Sequence, residues 1–257
     1  MLDKAKKSFF SRFICLFCRQ MFDFHLHLAR LHSPIQTGAA LLEGGDGFNN
    51  VACEPWEWNL SLDLMEKLKK QGPNFHSFFG IHPMIASTVT SEEWNRLEQI
   101  LRARPEIQVG ECGMDRRYPG YEDGDIQEQA LLRQFEFAKE LGRSVQIHCV
   151  GDYSRVLRLT EPYARQIPQV VFHRFGGDIS VVRSALRLLG DRAVFSLHGD
   201  SFRKKSTRNS IAEIPAGQIR LETDGDNDSW TAERVTNELL RLRQAMDSLA
   251  GLSPTAP

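Results

Sequence analysis

The chain has 257 residues, a length that suits one barrel-sized domain or two smaller ones. Hydrophobic residues make up 41% and charged residues 25%, an ordinary globular balance able to fill a large core. A formal net charge of -1 excludes a bulk electrostatic pull toward nucleic acid, so any such binding must rest on a local basic patch. Five cysteines, an odd number thinly spread, argue against a disulfide framework and for a reducing compartment, hence a cytoplasmic protein. Cys15 and Cys18 form a CxxC that lacks the second pair a four-ligand zinc site needs. No stretch is apolar for long enough to span a membrane.

In residues 1–20, Phe9, Phe10, Phe13, Leu16 and Phe17 follow a helical period among Lys and Arg, which fits a short amphipathic surface helix. Arg12 breaks the apolar run and no small-residue cleavage site follows, which argues against a signal peptide. This segment is read as an extension outside the fold, with the barrel over 21–252 and a Pro-marked tail over 253–257. From Met21 onward, short β-rich runs alternate with helical patterns, the signature of βα units and a parallel sheet. Strands are predicted over 21–28, 50–53 (weakly patterned), 75–81, 107–111, 145–149, 170–173, 193–197 and 219–223, eight in all. The fold class expected is therefore α/β, a single (β/α)8 TIM-type barrel.

The intervening helices carry checkable marks. Thr90 and Glu93 make a capping box ahead of Trp94, Leu97 and Leu101. Ile126, Ala130, Phe135, Ala138 and Leu141 form one apolar face closed by Gly142. Asp178 is placed to cap the helix carrying Val182, Ala185, Leu186 and Leu189. Val235, Leu239, Leu242, Met246 and Leu249 stripe the last one.

His25 and His27 stand two apart on the first strand, so both imidazoles face one side and can share an ion. Alone, that pair does not distinguish a metal site from two core histidines. Glu111, His148, His173 and Asp224 change the balance, because each lies near the C-terminal end of a different predicted strand, where barrel active sites gather. Imidazole with carboxylate suits Zn, Mn, Mg or a similar divalent ion, with no part for thiolate. Cys112 and Cys149 each follow a ligand candidate, point to the opposite face and read as small core hydrophobes.

Six stretches carry a resemblance: Phe22-Asp23-Phe24-His25-Leu26-His27-Leu28, Gly80-Ile81-His82-Pro83, Val109-Gly110-Glu111-Cys112-Gly113-Met114-Asp115, Ile147-His148-Cys149, His173-Arg174-Phe175-Gly176-Gly177 and Leu221-Glu222-Thr223-Asp224. In order and content the set resembles the TatD family of metal-dependent deoxyribonucleases, within the amidohydrolase superfamily. The resemblance implies a (β/α)8 barrel, two divalent ions, and hydrolysis of a phosphodiester, often in DNA. It implies that His25 and His27 hold one ion, His148 and His173 the second, that Glu111 bridges them, and that Asp224 binds metal and the attacking water as general base. His82 and Arg174 are the candidate substrate contacts.

Three departures stand out. Val150 occupies a place where the family usually has an arginine, Met84 replaces a second histidine, and Asp226-Asn227-Asp228-Ser229-Trp230 lacks an expected asparagine-proline pair. Replacement charge is available on loops at the same end: Arg116, Arg117, Arg174, Arg203, Lys204, Lys205 and Arg208. Two rival readings are a hydrolase of a lactone, ester or amide on the same barrel, and a metal-binding scaffold without catalysis. No lysine stands where many amidohydrolases carry a carbamylated one, since Glu111 occupies that place. Metal identity, substrate and oligomeric state are left open at this level.

Overall fold

A computed structural model describes residues 21–122, 125–249 and 251. The extension over 1–20, with Cys15 and Cys18, and the tail over 253–257 lie outside the described residues. Eight parallel strands follow one another in chain order: β1 Phe22–Leu26, β2 Gly47–Ala52, β3 Phe75–Phe79, β4 Ile107–Asp115, β5 Val145–Val150, β6 Val170–Phe172, β7 Ala193–Leu197 and β8 Ile219–Leu221. The helices that return the chain between them include α1 Pro34–Glu43, α2 Pro55–Leu68, α3 Ser91–Ala103, α4 Ile126–Leu141, α5 Tyr153–Thr160 and α6 Ile179–Leu189. Two short helices, α7 Gly199–Arg203 and α8 Lys205–Ile211, follow β7, and α9 Ala232–Leu249 completes the ring. This is the (β/α)8 barrel that the alternating pattern predicts.

The barrel closes between β1 and β8 through a seam rather than a full ladder. Leu26 and Gly225 form an isolated parallel bridge, with the His27 amide donating to the Gly225 carbonyl at 2.9 Å and the Asp224 amide to the His25 carbonyl at 3.0 Å. Asp23, fully buried, completes the seam: its carboxylate accepts from the Thr223 amide at 2.9 Å and the Thr223 hydroxyl at 2.5 Å. The interior is partly polar. Gln146 on β5 donates across the barrel to the Phe24 carbonyl on β1 at 2.8 Å.

Outside the strands, apolar helix faces make the core. Phe79, Leu97, Leu101, Phe135, Val182 and Phe195 belong to the larger cluster, and Leu26, Phe48, Leu64, Leu68, Val235 and Leu239 to a second one beneath α1, α2 and α9. The caps fall where the sequence places them. Thr90 and Glu93 form a reciprocal capping box, Asp178 accepts from the Ser180 and Val181 amides, and Gly142 ends α4 in the left-handed region. Leu249, by contrast, is 41% exposed, because the stripe on α9 outruns the barrel wall.

Several strand limits differ from expectation for local reasons. β2 begins at Gly47, three residues early, since Asn49 and Asn50 are buried polar residues, one on each face of the strand, that hide the apolar pattern. β1 stops at Leu26, where the next amide turns to the seam. β4 runs past Glu111 to Asp115, because its register against β5 shifts between Val109 and Cys112 and then resumes.

Candidate metal centre

The strand ends bring His25, His27, Glu111, His148, His173 and Asp224 to one place at the C-terminal mouth of the barrel. Glu111 is its hub. One carboxylate oxygen, Oε2, lies 3.3 Å from His25 Nε2 and 3.7 Å from His27 Nε2. The other, Oε1, lies 2.6 Å from His148 Nδ1, 3.4 Å from His173 Nε2 and 3.5 Å from His82 Nε2. Asp224 faces the same space: Oδ1 is 3.5 Å from His27 Nε2, and Oδ2 is 3.9 Å from His173 Nε2. Donor atoms of three overlapping trios, His25–His27–Glu111, His25–His173–Asp224 and His82–Glu111–His148, each fall within 4.8 Å of one another.

The imidazoles are aimed by groups behind them. His27 Nδ1 meets the Val51 carbonyl at 3.2 Å, His173 Nδ1 meets Glu222 Oε1 at 2.9 Å, and His148 Nε2 meets Asp115 Oδ2 at 2.9 Å. An acceptor hydrogen-bonded to one ring nitrogen, as behind His27 and His148, holds the proton there and leaves the other to a metal, whereas Glu222 meets His173 as an ion pair. The ring nitrogens crowd together: His25 Nε2 and His27 Nε2 stand 3.2 Å apart, the His25 and His173 rings stack with centroids at 3.6 Å, and His25 Nδ1 is buried without a hydrogen-bond partner. Electron-pair donors packed this closely with two carboxylates are a donor set that a divalent cation satisfies, so the residues fit a metal. Tetrahedral coordination with bonds of about 2.1 Å separates ligand atoms by about 3.4 Å, close to the spacings seen.

The electrostatics agree. Burial opposes ionisation of Glu111, yet His173, His82 and His25 outweigh it and hold the carboxyl well below the usual range. Asp224 is likewise held low, against its burial, chiefly by His173. Burial lowers His173, but Glu222, Glu111 and Asp224 push it up to about 10.

Two residues at the mouth adopt positive φ, Arg174 at 43° and Asp224 at 53°. Conformations of this kind cost on the order of 1–3 kcal/mol and persist where surroundings over-determine them. Here the Arg174 amide donates to Glu222 Oε1 at 2.6 Å and the Asp224 amide to the His25 carbonyl. The Arg174 guanidinium, 46% exposed, bonds Asp224 Oδ2 at 2.8 Å and also Asp200. Three of the other six loop cations are engaged: Arg117 pairs with Asp115, Arg203 with Asp200, and Lys204 donates to the Gly176 carbonyl. His198 accepts from the Asp200 amide at the start of α7.

Four supporting residues escaped the sequence reading. Glu222 and Asp115 back the imidazoles, and Gln127 and Gln134, both buried on α4, clamp the loops. Gln134 accepts from the Ile81 amide and donates to the Ile81 carbonyl, fixing the chain beside His82, while Gln127 does the same at Asp115. Glutamines seven apart share one helix face, and their place among Ala130, Leu131 and Ala138 on the buried face was the available signal. Cys112 is fully buried against the helices, as expected of a core thiol.

Known proteins match this architecture. The chain is 29% identical over 145 residues to a 3'-5' ssDNA/RNA exonuclease TatD of Enterobacter lignolyticus, covering 56% of this chain and 55% of that protein. It is 30% identical over 164 residues to the protein of that name from Escherichia fergusonii, covering 62% and 61%. The chain thus aligns with little more than half the length of these relatives. Among solved structures, YJJV, a TatD homolog from Escherichia coli k12, superposes with a TM-score of 0.72 at 19% identity over 90% of this chain and 93% of that one. A TatD family hydrolase from Entamoeba histolytica gives 0.75 at 13% identity over 92% and 93%. These two likenesses concern the fold. With the sequence model of the TatD related DNases matching residues 22–255, the chain belongs to that family.

Proposed function

We propose that this chain is a divalent-metal-dependent hydrolase that cleaves phosphodiester bonds, with DNA or another phosphodiester as substrate, through a centre of two ions chosen from Mg, Mn and Zn. The observation that carries the proposal is Glu111, whose two oxygens face two different groups of imidazoles, the arrangement a bridging carboxylate requires. His25 and His27 would hold one ion and His148 and His173 the other, with Asp224 reaching toward both sides. Bound there, divalent ions would supply a water of lowered pKa and charge to offset that on the attacking and leaving oxygens. Asp224, kept ionised by its neighbours, accepts the water's proton as general base. Arg174, partly exposed at the mouth, releases Asp200 and Asp224 to grip a phosphate, and His82 orients the substrate from the other side. On this reading residues 1–20 lie outside the barrel, and among the described residues no helix is long and apolar enough to cross a membrane.

The test uses the full chain reconstituted with Mg, Mn or Zn against 3'-labelled single-stranded DNA, bis-p-nitrophenyl phosphate and a lactone. Phosphodiester cleavage that a chelator abolishes is expected. Asp224→Asn keeps the side chain's shape and removes the base, and should lower the rate at least about a hundred-fold while the protein stays folded. Turnover of the lactone without either phosphodiester would overturn the assignment, as would near-normal cleavage by folded Asp224→Asn protein.

A further inference from the structure

One buried thiol stands against the centre and has no role so far. Cys53 is the first residue beyond β2, only 1% exposed, and its Sγ lies 3.9 Å from Glu111 Oε2. That is the same oxygen approached by His25 Nε2 and His27 Nε2. His27 and Cys53 also belong to a further donor trio, with Glu57, whose ligand atoms fall within 4.8 Å of one another. Glu57 is committed elsewhere. Its Oε2 accepts from the Cys53 and Glu54 amides at 2.7 and 2.8 Å, and its Oε1 accepts from Arg30 Nε at 2.5 Å. With Glu57 used as the cap of α2, the donors left facing the first ion are His25, His27, Glu111, Asp224 and Cys53.

The backbone around Cys53 is pinned on both sides. Its amide is held by Glu57, and its carbonyl accepts from the His82 amide at 2.9 Å. Burial and the Glu57 and Glu111 carboxylates push the metal-free thiol up, and Arg30 Nη2, 3.5 Å from Sγ, opposes them only in part, so it is the bond to an ion that would draw off the proton. In a tetrahedral site with a sulfur bond of about 2.3 Å and an oxygen bond of about 2.1 Å, sulfur and oxygen stand about 3.6 Å apart. The observed 3.9 Å needs only a small shift of the side chain.

Resting on the two-ion reading above, we infer that Cys53 is a thiolate ligand of the ion held by His25 and His27, which makes that position selective for zinc or cobalt over magnesium or manganese. The thiol proton passes to solvent as the sulfur–metal bond forms. The position of His148 and His173 at Glu111 Oε1 offers nitrogen and oxygen alone, so the two halves of the centre differ in softness. The sequence reading left thiolate out because Cys53 belongs to none of the matching motifs and its strand is weakly patterned. Only the fold carries it to Glu111.

Cobalt(II) reports the contact without any turnover. Stripped full-length protein carrying Cys15→Ser and Cys18→Ser, which removes a competing CxxC, is titrated with cobalt(II) and followed by near-ultraviolet absorption. A thiolate-to-cobalt charge-transfer band should grow with the first equivalent. It should vanish in Cys53→Ser and in Cys53→Ala, and persist in Cys112→Ser and Cys149→Ser. Zinc affinity of either Cys53 variant should fall at least about tenfold, the lower end of what losing a group behind a ligand costs, with magnesium affinity unchanged. If cobalt binds without the band, or the band survives both Cys53 substitutions, the thiolate assignment is overturned while the metal centre stands. If no cobalt binds at all, the two-ion reading itself fails, and this assignment with it. Should both variants misfold, the band in the Cys15→Ser/Cys18→Ser protein, together with its survival in the Cys112 and Cys149 variants, still decides the question.

Discussion

Replacing Glu222 by glutamine would remove one negative charge from behind the centre and almost nothing else. Glu222 is fully buried, 2.9 Å from His173 Nδ1, and it also accepts from the Arg174 amide. Glutamine retains an acceptor for the Arg174 amide and a polar group beside His173 Nδ1, so the turn at Arg174 and the packing of the ring survive. What is lost is the charge that makes His173 a stronger donor. Two unit charges at this distance interact by roughly 6 kcal/mol at an effective dielectric of about 20. A metal-bound imidazole is neutral, so only a fraction of that is at stake. Groups in this role change metal affinity by about 10–100-fold, or about 1.4–2.8 kcal/mol. Competition titration with a chelating dye should therefore show Glu222→Gln binding its weaker ion about 10–100-fold less tightly, beside a near-native circular dichroism melt. An unchanged affinity in a folded variant would show that Glu222 serves only to clamp the Arg174 backbone. Equal loss of melting temperature and affinity would make it a folding residue, and the argument from charge would fall.

Other expectations follow from the same geometry. Thr223→Val strips the buried Asp23 carboxylate of its hydroxyl donor and should cost about 1–3 kcal/mol in denaturant unfolding, whereas Thr223→Ser should recover most of it. Gly113 sits at φ 151°, and a Cβ there would lie 1.9 Å from the His148 carbonyl oxygen, so Gly113→Ala should abolish soluble folded protein. A normal melt would refute this close packing of β4 on β5. Arg174→Gln should raise KM for a phosphodiester more than it lowers kcat, and should reduce the slope of log affinity against log salt by about 1. An unaltered salt slope would remove Arg174 from the phosphate contact.

The barrel was legible because its strands end in chemistry. Runs such as Ile107 to Glu111 join β-branched and apolar residues to a terminal polar one, and helices such as α6 announce their caps. Ligand candidates were legible for the same reason, since imidazoles and carboxylates at strand ends stand out against apolar runs. What stayed hidden depends on three-dimensional adjacency. Asp115 appears in a quoted motif, yet only the extension of β4 past Glu111 carries it to His148. Asn49 and Asn50 give β2 no apolar pattern, yet both are buried. Cys53, fifty-eight residues from Glu111 in sequence, has no local signal of its place. Leu249 misled in the other direction, because helical periodicity continues past the point where there is a wall to pack against.

The seam between β1 and β8 joins closure of the barrel to assembly of the centre. The amide of one candidate ligand, His27, and that of another, Asp224, are two of the bonds that shut the cylinder. Local opening at this joint cannot occur without pulling His25 and His27 away from Asp224. Any ion bound between them is therefore linked to the opening equilibrium: at about a hundred times its dissociation constant it resists that motion by about 2.7 kcal/mol. Amide hydrogen exchange at His27 and Asp224 would then slow by roughly a hundred-fold, while strands on the far side of the barrel keep their own pace. The weakest join of the cylinder becomes the part whose breathing is governed by occupancy of the site.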